Sequence, residues 1–326
     1  MENNDLVLGI DTSNYTTSAA LTDRRGHIIE QIQRPLRVKQ GERGLRQSHA
    51  LFQHVEQLPE VLAALLSPQT RTEIRAVAVS DRPRPVPGSY MPVFNAGLRF
   101  GSVAADCLGV PLFRFSHQEG HLAAASWGTS LAGADHLLCW HLSGGTCELL
   151  LVENGNISIA GGTKDISFGQ LIDRVGVSMG LDFPCGRAMD EAALRQTAPE
   201  GEAAEAITQK QNPLKPVPAD GLFFNISGIE TQAQRFLSQS GSQTALPGFL
   251  FSRMAECLLA VSGKACRTFG IKQVLFTGGV SSSSFLRLFF EQKAAQQGFE
   301  AVFGERSLSA DNAVGISLLG GRKLWH

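Results

Sequence analysis

The chain has 326 residues, 43% of them hydrophobic and 18% charged, so it holds apolar material for about two domains and is not mainly disordered. Lys+Arg 29 against Asp+Glu 30 leaves a formal charge of -1, which excludes a globally basic nucleic-acid binder but not a local basic face. The acidic start Met-Glu-Asn-Asn-Asp has no signal-peptide character, and apolar runs such as Leu149 to Val152 are far too short for a bilayer. Six cysteines (107, 139, 147, 185, 257, 266) form no C-x-x-C pair, so a reduced cytoplasmic α/β protein without membrane association is expected.

Leu6 to Ile10 reads as a buried strand, and Thr17 to Leu21 as its hairpin partner across Thr12-Ser13-Asn14. His27 to Gln31 follows as a third strand after the turn Asp23-Arg24-Arg25-Gly26. Leu51, Val55, Leu58, Leu62 and Leu65 share one face of a helix over Leu45 to Leu66. Then come a strand at Ala76 to Ser80, a proline-rich loop at Arg82 to Gly88, a helix at Tyr90 to Leu108 and a strand at Val110 to Arg114.

The second half opens in the same order: Leu137 to Leu142, the turn Ser143-Gly144-Gly145-Thr146, Glu148 to Val152, the turn Glu153-Asn154-Gly155, and Asn156 to Ala160. Helices are expected at 167–180, 188–197, 229–239, 248–269 and 281–297, strands at Val274 to Thr277 and Glu300 to Phe303, and a last helix from about 311. Pro213 to Pro218 reads as a surface loop. A meander repeated on the scale of a domain suggests duplication, with lobes at 1–135 and 136–326 around a central cleft and the last helix packing back on the first lobe. This order matches a duplicated two-lobe α/β fold of the actin, sugar-kinase and heat-shock-ATPase type (ASKHA), with an ordinary doubly wound fold as the alternative.

Several residues carry candidate chemistry. His117-Gln118-Glu119-Gly120-His121 sets two imidazoles four apart, on one face if helical, either to share a divalent metal or to be solvated. The glutamate is not in the H-E-x-x-H position, and a third ligand, a carboxylate, is still wanted. Ser143-Gly144-Gly145-Thr146 and Thr277-Gly278-Gly279-Val280 each follow a strand, as phosphate-cradling backbone or as plain tight turns. Asp11 is the candidate catalytic carboxylate, orienting a phosphate-bound cation or water, with turn capping as the alternative. Asp311, taken alone, is explained by capping the last helix. Arg82, Arg84 and Arg99 offer a basic face or are solvated, and Cys185 has no nucleophile signature.

Seven motifs in order resemble one family. Val7-Leu8-Gly9-Ile10-Asp11-Thr12-Ser13 is similar to V-L-G-I-E-T-S, His117 to His121 to H-x-E-G-H, and Leu142 to Gly145 to V-S-G-G. Gly180 to Gly186 is similar to G-L-x-Y-P-G-G, Ile226 to Thr231 to F-S-G-L-K-T, Gly278 to Arg287 to G-G-V-x-x-N-x-x-L-R, and Asp311-Asn312-Ala313 to the terminal T-D-N-x. The chain thus resembles, nearly end to end, the TsaD/Gcp family of tRNA threonylcarbamoyl transferases, once labelled O-sialoglycoprotein endopeptidases. The resemblance implies His117, His121 and Asp311 as ligands of one divalent metal, iron or zinc. It also implies contact of Ser143, Gly144 and Gly145 with the phosphate or carbamoyl group. Asp173, Gly186 and Asp190 would hold the adenosine of threonylcarbamoyl-AMP or ATP, and Gly278 and Gly279, with Ser283 at the motif's Asn position, would lie near the nucleotide.

The implied reaction moves a threonylcarbamoyl group from threonylcarbamoyl-AMP to N6 of adenosine-37 in tRNA, with TsaB-like and TsaE-like accessory proteins and a homodimer as expected associations. The sequence departs from the family at Thr146 (usually His or Asn), at Asp165 to Arg174 (one Asp, the Glu and the Lys of D-D-A-A-G-E-A-F-D-K), at Ser283, at Arg82 to Gly88 and at Arg187. These departures describe a diverged paralog. The alternatives are transfer of a carbamoyl-type group to another acceptor, or a non-catalytic nucleotide- and metal-binding partner.

Overall fold

A computed structural model describes residues 5–13, 15–38, 45–197, 212–239, 244–309 and 311–326. Residues 1–4 of the acidic start and Asn14 of the first turn lie outside the described residues. The chain divides into two units, Met1–Gly128 with Glu305–His326, and Thr129–Gly304.

The first unit is built on a sheet of β1 (Leu6–Thr12), β2 (Thr16–Asp23), β3 (Ile28–Pro35), β4 (Ile74–Arg82) and β5 (Leu112–Ser116) in the order β3-β2-β1-β4-β5. The hairpin pairs are antiparallel, whereas β4 lies parallel to both β1 and β5. Every residue of β1 is buried, because helices cover both faces; this is why the strand reads as an apolar run instead of an alternation. Leu6, Leu8 and Ile10 pack with Leu58, Val61 and Leu62 of α1 (Gln47–Leu65) and with Ala96 and Ala105 of α3 (Phe94–Leu108). Val7 packs instead with Ile316 of α10 (Val314–Trp325), beside which runs α4 (His117–Ser126). A short helix, α2 (Pro68–Glu73), precedes β4.

The second unit repeats the arrangement. Its sheet holds β6 (His136–Leu142), β7 (Cys147–Glu153), β8 (Asn156–Thr163), β11 (Gln273–Thr277) and β12 (Glu300–Phe303) in the order β12-β11-β6-β7-β8. Two antiparallel and two parallel pairings follow in the same sequence as in the first sheet. The strands β9 (Ala219–Asp220) and β10 (Phe223–Phe224), paired with each other, extend it beyond β8. Five helices, α5 (Phe168–Ser178), α6 (Gly186–Thr197), α7 (Ser227–Gln239), α8 (Leu246–Phe269) and α9 (Ser284–Lys293), are described in this unit, and its core centres on Trp140, Phe168, Phe251 and Phe276. No described helix is long and apolar enough to cross a membrane.

Several strands run two to four residues beyond the sequence reading, and four other boundaries differ for a local reason. The helix expected from Tyr90 begins at Phe94, since Pro92 disfavours helical geometry at Met91. The strand expected from Val110 begins at Leu112, because Pro111 has no N–H to give the ladder. The helix expected over 281–297 is α9 between two 3-10 turns, with the Ser283 hydroxyl accepting from Leu286 N at its start. The last helix starts at Val314, and Asn312 Oδ1, not Asp311, accepts from Val314 N. Asp311 therefore does not fill the capping role that explained it when taken as an isolated residue. The pairing of β9 with β10 and helix α2 were not anticipated.

Candidate metal centre

The first residues of α4 explain the H-x-E-G-H segment. Ser116 is the N-cap: its hydroxyl accepts from Glu119 N at 3.2 Å, while Glu119 Oε2 accepts from Ser116 N at 2.6 Å. This reciprocal capping box starts the helix on the strand end of β5. Glu119 thus works at the helix terminus, where its carboxylate also lies 3.7 Å from Arg82. Arg82 further pairs with Asp81, so that cation belongs to the start of α4 and not to a free basic face. His117, the first residue of the helix, and His121, one turn on, stack edge to face with ring centroids 4.3 Å apart.

Gly120, three residues after His117 and so on an adjoining side of α4, lies where α10 comes close. A Cβ on Gly315 would sit 1.8 Å from the Gly120 carbonyl oxygen, and one on Gly120 would sit 2.8 Å from Ile316 Cδ1. This close crossing brings Asp311, just ahead of α10, to the two histidines. Asp311 Oδ1 lies 3.2 Å from His121 Nε2 and 3.4 Å from His117 Nε2. Its second oxygen accepts from the Ser13 hydroxyl at 2.9 Å. Asp11 is wholly buried, with Oδ1 2.9 Å from His117 Nδ1 and Oδ2 without a partner among the described residues. Asp11 therefore touches the centre through His117, and the sequence reading of Asp11 as a carboxylate that orients a phosphate-bound cation or water becomes, on this contact, a carboxylate behind a candidate ligand.

Burial by itself would lower the His117 pKa, but the Asp11 and Asp311 carboxylates outweigh it and raise it to about 10. Burial would raise Asp311, and the hydrogen bonds and charges of the two histidines instead hold it well below the ordinary carboxylate range. The three donor atoms lie within 4.8 Å of one another. Two imidazole nitrogens and one carboxylate oxygen, with a second carboxylate behind one imidazole, form a donor set suited to a divalent first-row ion such as iron or zinc. An all-oxygen ion such as magnesium or calcium is matched poorly.

The remaining site residues read from the sequence belong to the second unit. Ser143 to Thr146 closes the β6–β7 hairpin, with the Ser143 hydroxyl accepting from Thr146 N at 3.0 Å. Gly144 and Gly145 face open space, so their backbone is accessible to a ligand. The hairpin is held from below: Ser167 donates to the Gly144 carbonyl at 2.7 Å, and a Cβ on Gly169 would meet Gly144 Cα at 2.5 Å. Gly278 has φ +88, and a Cβ there would lie 2.3 Å from the Leu142 carbonyl oxygen, so the fold itself requires this glycine. Gly279 and Gly186, the first residue of α6, are open.

Asp190 and Ser283 are joined to each other. Asp190 accepts from the Ser283 hydroxyl, from Ser284 N at 2.8 Å and from Phe285 N at 3.1 Å, and so closes the N-terminus of α9. Asp173 accepts from Cys185 N at 2.8 Å, and burial raises its pKa. Cys185 is buried, which raises its thiol as well, in keeping with an inert cysteine. Arg187 points to solvent and pairs with Glu191.

Two residues with clear positioning roles escaped the sequence reading. Ser13 was visible as a turn residue and as the last residue of the first motif, without a role at the site. Asp165 accepts from Ile166 N, Ile226 N and Ser227 N and so ties the start of α7 to the end of β8; although burial would raise its pKa, these bonds push it far down. Its short polar side chain ahead of Ile166-Ser167 is an ordinary turn signal, and only the fold supplies the partner 61 residues on.

The chain is 28% identical over 324 residues to the tRNA N6-adenosine threonylcarbamoyltransferase of Syntrophomonas wolfei, covering 96% of this chain and 90% of that protein. It is 29% identical over 323 residues to the protein of the same name from Thermus thermophilus, covering 97% and 92%. Among solved structures, component A of the Acidaminococcus fermentans (R)-2-hydroxyglutaryl-CoA dehydratase superposes with a TM-score of 0.55 over 98% of both chains, at 16% identity. That likeness concerns the fold alone, which is the duplicated α/β architecture of the ASKHA type. The family profile described as TsaD, tRNA N6-adenosine threonylcarbamoyltransferase, matches residues 28–318. On this match over most of its length, the chain belongs to the TsaD family of tRNA N6-adenosine threonylcarbamoyltransferases.

Proposed function

We propose that this chain is a metal-dependent transferase that moves a threonylcarbamoyl group from threonylcarbamoyl-AMP to N6 of adenosine-37 in tRNA. The observation that carries the metal dependence is the convergence of His117 Nε2 and His121 Nε2 on Asp311 Oδ1. Iron or zinc bound there would supply Lewis-acid polarisation of the carbamoyl oxygen. Asp11 accepts a hydrogen bond from His117 Nδ1 and so turns Nε2 toward Asp311, while Ser13 holds the outer oxygen of Asp311.

In the second unit, the open backbone of Gly144, Gly145 and Gly279 suits the phosphate of an adenylate. Asp173 and the open start of α6 at Gly186 suit the adenosine hydroxyls. Asp190 and Ser283 serve that region by fixing α9. In the transfer, N6 forms the new bond to the carbamoyl carbon, the bond from that carbon to the AMP oxygen breaks, and N6 gives up a proton. Holding both reactants in place is the remaining contribution of the chain. TsaB-like and TsaE-like accessory proteins, a homodimer and a cytoplasmic setting complete this reading.

A second reading, transfer to another acceptor or non-catalytic binding, draws on the Asp190–Ser283 bond. It commits to α9 two side chains that the resemblance placed near the nucleotide. One assay separates the two. The purified chain, with and without accessory proteins, is incubated with threonylcarbamoyl-AMP and unmodified ANN-decoding tRNA, and threonylcarbamoyladenosine is measured by mass spectrometry. Product that disappears in His117→Ala and Asp311→Ala supports the first reading. Bound zinc or iron and bound adenylate without product would move the assignment to the second.

A further inference from the structure

A histidine with no exposed surface lies outside the triad of His117, His121 and Asp311 and has no part in the chemistry described so far. His54, on α1, is wholly excluded from solvent. Its Nε2 lies 2.7 Å from the Ser13 carbonyl oxygen and its Nδ1 lies 2.8 Å from the Thr17 hydroxyl. A carbonyl only accepts, so Nε2 carries a proton. Burial favours the neutral ring and lowers its pKa, leaving Nδ1 to accept from Thr17. Both bonds clamp the turn between β1 and β2.

An imidazole enclosed beside an apolar helix face costs stability unless its polar atoms are satisfied. Here both atoms are spent on the turn, and that turn carries Ser13, whose hydroxyl donates to Asp311 Oδ2 at 2.9 Å. The helix beneath is itself anchored, since Leu58, Val61 and Leu62 lie in the core against β1. A rigid element, one ring, one carbonyl and one hydroxyl thus run in series to a candidate metal ligand.

We infer that His54 is a positioning residue for the metal centre: by holding the Ser13 carbonyl it keeps the Ser13 hydroxyl on Asp311 Oδ2 and turns Oδ1 toward His117 and His121. The inference rests on the reading that the triad binds an ion, and it concerns affinity for that ion, independently of any tRNA reaction.

The test is zinc affinity of the full chain, read by competition with a chromophoric chelator, alongside thermal melting. His54→Asn keeps an amide near the Nδ1 position and loses the donor to Ser13; it is expected to weaken zinc binding roughly 10-fold, as Ser13→Ala does. His54→Gln places an amide nitrogen where Nε2 stood and is expected to stay within about 2-fold of wild type. The double variant His54→Asn/Ser13→Ala is expected to bind no more weakly than Ser13→Ala alone, whereas a merely structural role would give losses that add. Wild-type affinity in His54→Asn, equal losses in the Asn and Gln variants, or additive losses would overturn the inference while leaving the metal reading intact. Absence of zinc binding in the wild-type chain would remove both. Should His54→Asn fail to fold, Thr17→Val carries the test, with a roughly 3-fold loss expected and unchanged affinity against it.

Discussion

Asp11 Oδ1 lies 2.9 Å from His117 Nδ1, and this contact selects the nitrogen that His117 presents to Asp311. A carboxylate in this setting accepts, so Nδ1 donates to it and Nε2, 3.4 Å from Asp311 Oδ1, is the atom that a metal would take once its own proton is displaced. Asp11 is enclosed on β1, and its remaining oxygen has no partner among the described residues, so its charge is directed at the ring.

Replacing Asp11 by Asn preserves the volume and removes the charge. Zinc affinity is expected to fall by roughly 10- to 100-fold, the usual effect of losing the partner behind a histidine ligand. Chelator competition on the folded variant measures it, and an unchanged constant would show that the contact does not orient the ring.

The metal-free protein carries a pH signature. His117 is raised from 6.5 to about 10, so its ion pairs stabilise the fold fully below 6.5 and are lost as pH rises toward 10. Melting temperature of the metal-free chain is therefore expected to decline across that window, and the decline to be absent in His117→Ala. Zinc must displace the same proton, so affinity is expected to rise with pH over the same interval. A flat profile in both measurements would contradict the raised state.

Gly315 and Gly120 mark where α10 crosses α4, and an added methyl at 315 has nowhere to go within 1.8 Å of the Gly120 carbonyl. Gly315→Ala is expected to cost about 1–3 kcal/mol in denaturant unfolding, or more if the helices cannot part. Because the same crossing brings Asp311 to the histidines, zinc affinity should fall with it. A variant of native stability that binds zinc normally would show that this approach is not what sets the triad.

Gly169 offers the matching experiment in the second unit. Its Cβ would press 2.5 Å from Gly144 Cα and 2.6 Å from the Ser143 carbonyl oxygen. Gly169→Ala is expected to displace the Ser143–Thr146 hairpin and weaken adenylate binding by roughly 10-fold (about 1.4 kcal/mol), read by calorimetry. Zinc affinity, set in the other unit, should be unaffected. Adenylate binding at wild-type strength would argue against a role for this hairpin.

Local signals carried much of the architecture. Both meanders were legible because each strand is a short apolar run bounded by polar turns, and the strand orders of the two sheets repeat as the duplicated pattern suggested. The pairing of His117 with His121 was legible too, because residues four apart on a helix share a face whatever the rest of the chain does. The helix boundaries at Phe94 and Val314 were less so, since a proline in one case and Asn312 in the other shift the first turn by a few residues. The short pairing of β9 with β10 left no signal, because two-residue strands have no period to detect.

What the sequence by itself determined about this protein was its α/β class, its internal duplication, the shared helical face of two histidines and the motif order that marks the family. The resemblance implied Asp311 as the histidines' companion, but only the tertiary structure sets it, 190 positions from His121 in the chain, beside that ring and not on a helix cap. The tertiary structure alone likewise sets Asp11 behind His117, Ser13 on Asp311, and Asp190 on the start of α9. The physical reason is range: backbone preference and side-chain periodicity act over a few residues, whereas these contacts are set by how closely α4 and α10 can approach and by which turns they meet.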